Sequence, residues 1–136
     1  MPPREFPPDD LTILGDEQLY VRIYPSQDGL APHDELGVFR ATSGTLRRSG
    51  DPLSVDLSSL CLAEETRDRD TTARFHVAAF TAQVARAAGC RVVRDPLPDN
   101  PAHALVIGDH AAGDGALSMR QAKAIARRSR VVILNG

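Results

Sequence analysis

Two isolated cysteines, Cys61 and Cys90, are all the thiol chemistry this 136-residue chain holds. Without a CxxC pair or a Cys/His spacing, a disulfide framework and a zinc ribbon are excluded, and both thiols read as small buried hydrophobes. Tryptophan is absent, and Lys123 is the only lysine against 15 arginines. No apolar run approaches the roughly 20 residues of a membrane-spanning helix, and the start, Met1-Pro-Pro-Arg-Glu-Phe-Pro-Pro, carries no apolar signal core. A soluble cytoplasmic protein is therefore expected, with no membrane partner. Neither charge sign dominates: 16 basic residues face 18 acidic ones for a formal net charge of −2, which removes whole-molecule attraction to nucleic acid as a theme.

The familiar signatures are missing too. Gly108-Asp-His-Ala-Ala-Gly113-Asp-Gly115 has neither a GxGxxG order nor a GK[ST] ending, which disfavours a phosphate cradle. A serine nucleophile elbow, HExxH and an EF-hand loop are likewise absent.

What remains fits one domain, because a chain of this length buries roughly two-thirds of its unfolded surface. Residues 1–10 hold four prolines and four charges and read as a loose tail ahead of a single domain over 11–136. Leu19-Tyr-Val-Arg-Ile-Tyr24 reads as a strand stopped by Pro25, with Leu19, Val21 and Ile23 on one face and Tyr20, Arg22 and Tyr24 on the other. Turn residues follow at Ser26–Gly29 and Pro32–Glu35, then a short second strand at Leu36-Gly-Val-Phe39. Arg47–Pro52 is punctuation before Leu53-Ser-Val-Asp-Leu57, which alternates at period two. Residues 60–70 read as a short helix with a charged outer half. Over 72–89 a single long helix competes with a strand at 75–80 followed by a helix capped by Thr81, and the second is preferred, with Gly89 as its stop.

Cys90–Arg94 and Ala104–Gly108 are core strands joined by a proline-fixed connection. Ser118-x-x-Gln121 is a capping box opening a helix with an apolar stripe of Met119, Ala122, Ile125 and Ala126. Val131–Leu134 is a last strand or a docked helix end, and as an exposed edge it is where a homo-oligomer would pair. The sum is an α+β domain with a mixed, mainly antiparallel sheet of five to six short strands and two to three helices.

Chemistry is sparse. Asp95-Pro-Leu-Pro-Asp-Asn-Pro-Ala-His103 presents Asn100 and His103 on a backbone stiffened by three prolines, which suits a binding or acid–base site and equally a capped turn. Arg22 between two tyrosines can clamp a phosphate or carboxylate, or pair with an acid at a strand edge. His33, His76, His103, Asp109 and His110 supply metal ligands on paper, but their spacings match no zinc pattern, and no metal is expected. Glu64, Glu65, Asp68 and Asp70 interleave with Arg67 and Arg69 as a solvated, salt-bridged helix face. Arg127, Arg128 and Arg130 cluster at a helix C-terminus, where the dipole already favours cations.

Leu19-Tyr-Val-Arg-Ile-Tyr-Pro25, Leu53-Ser-Val-Asp56 and Asp95–Ala104 together resemble a group of short uncharacterised bacterial proteins, a likeness that implies no activity. The order Arg22, Ser54, then Glu64 or Glu65 also resembles the ADP-ribosyltransferase superfamily, RES-type domains included, and that resemblance implies NAD held by these residues. The leading expectation is a binding module, without a cofactor, that meets a protein partner or small ligand through Arg22, Tyr24, Asp56, Asn100 and His103. The alternative is a small enzyme. It would be either NAD-dependent, with Arg22 as clamp and Glu64 as a catalytic candidate, or a hydrolase or isomerase built on His103 with Asp56 or Asp109 as its orienting carboxylate.

Overall fold

A computed structural model describes residues 5–25, 29–33, 37–47 and 50–134. Most of the turn expected at Ser26–Gly29, the Asp34–Leu36 stretch, part of the Arg47–Pro52 punctuation and the first residues of the tail lie outside the described residues.

The strand-forming runs become β1 (Gln18–Ile23), β4 (Leu53–Leu57), β5 (His76–Thr81), β6 (Arg91–Arg94), β7 (His103–Ile107) and β8 (Arg130–Ile133) of one sheet in the order β6-β7-β4-β1-β5-β8. Every described ladder in it is antiparallel. A small second sheet pairs β2 (Leu30–Pro32) with β3 (Phe39–Ala41). The helices are α1 (Ser43–Leu46), α2 (Ala63–Asp68), α3 (Ala82–Ala87) and α4 (Met119–Arg128), of which only α4 exceeds two turns. The expected α+β domain is therefore what forms. The short strand expected at Leu36–Phe39 is displaced to β3, which shares only Phe39 with it; the additions are its partner β2 and α1, a single turn too short to leave a periodic signal.

Alternation decides which face each strand buries. Along β1 the side chains of Leu19, Val21 and Ile23 are buried, while Tyr20 and Arg22 are half-buried on the opposite face. Leu46 of α1, Ala82 and Ala85 of α3, and Ala122, Ile125 and Ala126 of α4 join the first face in one core. Met119, expected in that stripe, is exposed, and Gln121 takes the buried place instead. Its Oε1 accepts the main-chain N–H of Ser118 at 3.1 Å, completing the capping box, and that of Asp109 at 2.9 Å.

The region from 72 to 89 resolves as strand then helix: Thr81 Oγ1 accepts the N–H of Val84, and Gly89 follows the helix at φ +91°. Residues 5–10 form no regular element but are tied to the fold. Asp9 bridges the Arg86 side chain and the Val92 N–H, and Arg91 donates to the carbonyls of Phe6 and Pro7.

The second face of the sheet carries α2, which packs against β1 and β5. It is only partly covered, and that leaves room for a site. Among the described residues no helix is long and apolar enough to cross a membrane.

Candidate functional site

Register brings the polar residues of this face into rows. Tyr20 pairs with Asp56 across β1 and β4, and Asp56 with His103 across β4 and β7, so three side chains from distant segments stand side by side. Asp95 sits at the end of that row, its N–H bonded to the carbonyl of His103 at 3.0 Å. Between them the three prolines shape a tight hairpin: Leu97 and Asn100 exchange both main-chain hydrogen bonds at 3.0 Å, which turns the Asn100 side chain back over the sheet.

Asp56 is the hub. Its side chain is only 6% exposed and accepts from Asn100 Nδ2 at 2.8 Å, Thr66 Oγ1 at 2.7 Å and Arg69 Nε at 3.0 Å. Burial alone would raise its pKa, but the three hydrogen bonds and the Arg69 charge outweigh it, so the carboxyl is held below the usual aspartate value. A carboxylate held by three donors organises its surroundings, and among the described residues it makes no hydrogen bond to His103 that would orient the ring.

That role falls to Asp95. His103 Nδ1 lies 3.0 Å from both the carboxylate Oδ2 and the carbonyl oxygen of Asp95. Both are acceptors, so Nδ1 is the donor in this contact. The pairings of His103 with Asp56 or Asp109 expected from sequence are thus replaced by a hairpin contact eight residues away. Asp109 instead faces Arg120 at 3.8 Å, in the loop after β7.

These residues enclose a cavity of about 590 Å³ whose walls include Arg22, Tyr24, Ser54, Asp56, Asn100 and His103. Arg22 lies over the Phe75 ring, 5.5 Å from its centroid, and Phe75 meets Tyr24 edge-on at 4.8 Å. Among the described residues the Arg22 guanidinium forms no ion pair. Glu64 and Glu65 are exposed and outside the cavity, and Glu65 instead accepts the N–H of Leu62 at the start of α2. His76 is buried on β5, and His110 pairs with Asp114 at 3.3 Å. Among the described residues no cluster of three or more His, Cys, Asp or Glu is placed to hold a metal ion.

Sequence reasoning missed Thr66, Arg69, Phe75 and Asp95. The charged face of α2 behaves as expected at Arg67 and Asp68, an exposed pair at 2.8 Å, but Arg69 lies one residue past the helix end and turns inward to Asp56. Nothing in charge alternation distinguishes the two arginines, whereas Asp95 lies inside the proline segment already singled out. Compared with protein-family models, curated proteins and solved structures, the chain matches none of them.

Proposed function

We propose that this chain is a small binding module that takes a small ligand into the cavity bounded by Arg22, Asp56 and the Asn100–His103 loop. Convergence carries the reading: β1, β4 and the hairpin before β7 are far apart in sequence, yet their polar side chains line one hollow of about 590 Å³. Small-molecule sites commonly fall at about 300 to 1,000 Å³ and combine apolar walls with a few fixed polar groups. A concave site of this size favours a small ligand over a flat protein surface. Arg22, with no ion pair among the described residues, is the anchor for an anionic group, and the His103 imidazole adds a second polar group to the lining.

The test is a metabolite panel screened by ligand-observed NMR against the wild-type chain and Arg22→Ala, His103→Ala and Arg127→Ala variants. Binding should weaken about tenfold or more in the first two and persist in the third, whose side chain is exposed on α4. Folded Arg22→Ala and His103→Ala chains that keep every interaction would overturn the reading.

A second reading, a His103-dependent hydrolase or isomerase, is favoured by the Asp95–His103 pair, since a carboxylate on Nδ1 orients an imidazole that lines the cavity. The NAD-consuming form has less support, since Glu64 and Glu65 stand outside the cavity and the chain has no Glu-x-Glu pair. Nicotinamide release on incubation with NAD tests it directly.

A further inference from the structure

The cavity sits where the central sheet splits. The β1–β4 ladder consists of Leu19↔Leu57 and Tyr20↔Asp56 and goes no further, although β1 continues to Ile23 along β5 and β4 begins at Leu53 along β7. Ser58 N–H donates to the Gln18 carbonyl, and Leu57 N–H donates to Ala102 on the other side. Main-chain groups alternate sides along an antiparallel strand. Those of Arg22 and Ser54 therefore point at each other across the split, where the next rung would have been. The described ladder records no rung between them. Ser54 is exposed and Arg22 half-buried there, so the main-chain groups at the end of the ladder open onto the cavity.

The walls at the split are of three kinds. Above it, on the open face, stands the Arg22 guanidinium over Phe75. At its level are the main-chain donors and acceptors of Arg22 and Ser54. Below it, toward the core, Val21, Leu46, Leu53 and Val55 make an apolar wedge. Charge narrows the anion that fits. Two arginines, Arg22 and Arg69, face Asp56, Asp70 and Asp99 around the cavity, and Arg69 is already committed to Asp56. The Arg22 guanidinium also feels the Asp70 carboxylate, and one cation in such surroundings suits a monoanion better than a phosphate monoester, which carries close to two charges at neutral pH.

We infer that the cavity binds an α-amido carboxylate, the CO–NH–CHR–COO⁻ unit, with the carboxylate on Arg22, the amide on the main chain of Arg22 and Ser54 beyond the end of the β1–β4 ladder, and an apolar R in the wedge. The three groups radiate from a single carbon, as the three walls radiate from the split. Capture of a terminal carboxylate with strand-like main-chain pairing is an established mode of peptide recognition. This inference rests on the cavity being a small-ligand site. Two sources share the chemistry: a free N-acylated amino acid and the C-terminus of a polypeptide.

Titration of the full chain by calorimetry and amide NMR separates the possibilities. The probes are N-acetyl-leucine, N-acetyl-leucinamide, 4-methylpentanoic acid, and a hexapeptide ending in leucine as free acid and as C-terminal amide. N-acetyl-leucine should bind about tenfold or more tightly than either its amide or the acid lacking the amide group. Arg22→Gln should erase the preference for acid over amide, and Arg22→Lys should restore part of it, with circular dichroism confirming that both fold. Equal affinity for the free-acid peptide assigns the site to polypeptide C-termini, and binding of N-acetyl-leucine alone assigns it to a metabolite. Equal binding of acid and amide, or of acids with and without the amide group, overturns the inference. If none of these compounds binds while another from the metabolite panel does, this inference fails and the cavity reading stands; if nothing at all binds, both fail.

Discussion

With Asp56 removed, three donors lose their acceptor at once: the Arg69 guanidinium, the Thr66 hydroxyl and the Asn100 amide. Breaking a buried, hydrogen-bonded ion pair by deleting one partner typically costs about 3 to 5 kcal/mol, so Asp56→Ala should lose stability on that scale in urea denaturation. A loss under about 1 kcal/mol, the range of an exposed ion pair, would mean the hub is wetter than it looks. The same carboxyl sets an acid limit. Its pKa is lower in the folded chain than the ordinary 3.8, so its contribution is complete above 3.8 and disappears as pH falls through the lower folded value. His76 acts earlier and in the same direction. Burial depresses its pKa below 6.5, so the neutral ring is favoured in the fold, and stability declines as pH falls from 6.5 toward the depressed value. The urea midpoint should thus fall in two stages on acidification, and His76→Gln should abolish the first. A midpoint unchanged from about pH 8 to about pH 5 in the wild-type chain would contradict this assignment.

At the scale of elements, the loop between β7 and α4 depends on one close approach. Gly108 lies against the strand-like return of that loop, its N–H bonded to the Gly115 carbonyl at 2.8 Å. A Cβ there would come within 2.4 Å of the Ala116 carbonyl oxygen and 2.5 Å of Leu117 Cα. Both are main-chain atoms and cannot rotate away, so Gly108→Ala should cost about 1 to 3 kcal/mol in thermal or chemical unfolding. Gly44 in α1 is the counterpart: a Cβ there meets nothing within 4 Å. Gly44→Ala should leave stability unchanged or raise it by about 0.5 to 1 kcal/mol, because alanine restricts the unfolded chain and favours the helix. Equal effects at the two positions would show that backbone entropy, not crowding, governs both.

For the whole molecule, the two thiols report on how tightly the core closes. Cys90 is buried and its pKa is pushed up to about 12, mainly by that burial with the Asp109 charge adding to it, and Cys61 is also buried with its pKa raised by burial. Thiolate is the reactive form, so both should resist a disulfide reagent in native buffer and react together only as the chain unfolds. Labelling kinetics followed through a denaturant series should therefore track global unfolding. A thiol that reacts at the rate of free cysteine under native conditions would place it at a locally opening edge.

The alternation of β1 and β4, the Thr81 cap, the Gly89 stop and the Ser118–Gln121 box were all legible in the chain, because each is enforced by residues within a few positions of one another. The α+β class, and the polar side of each strand that carries Arg22 or Asp56, follow from such local patterns. The partners on that side do not. Asp56 meets Thr66, Arg69 and Asn100, and His103 meets Asp95, because register and a folded-back hairpin bring them together. The early end of the β1–β4 ladder leaves no trace in composition or periodicity, since both strands read as continuous. Local sterics and side-chain period act along the chain, whereas the split and the cavity depend on how neighbouring strands and helices compete for space, and only tertiary packing resolves that competition.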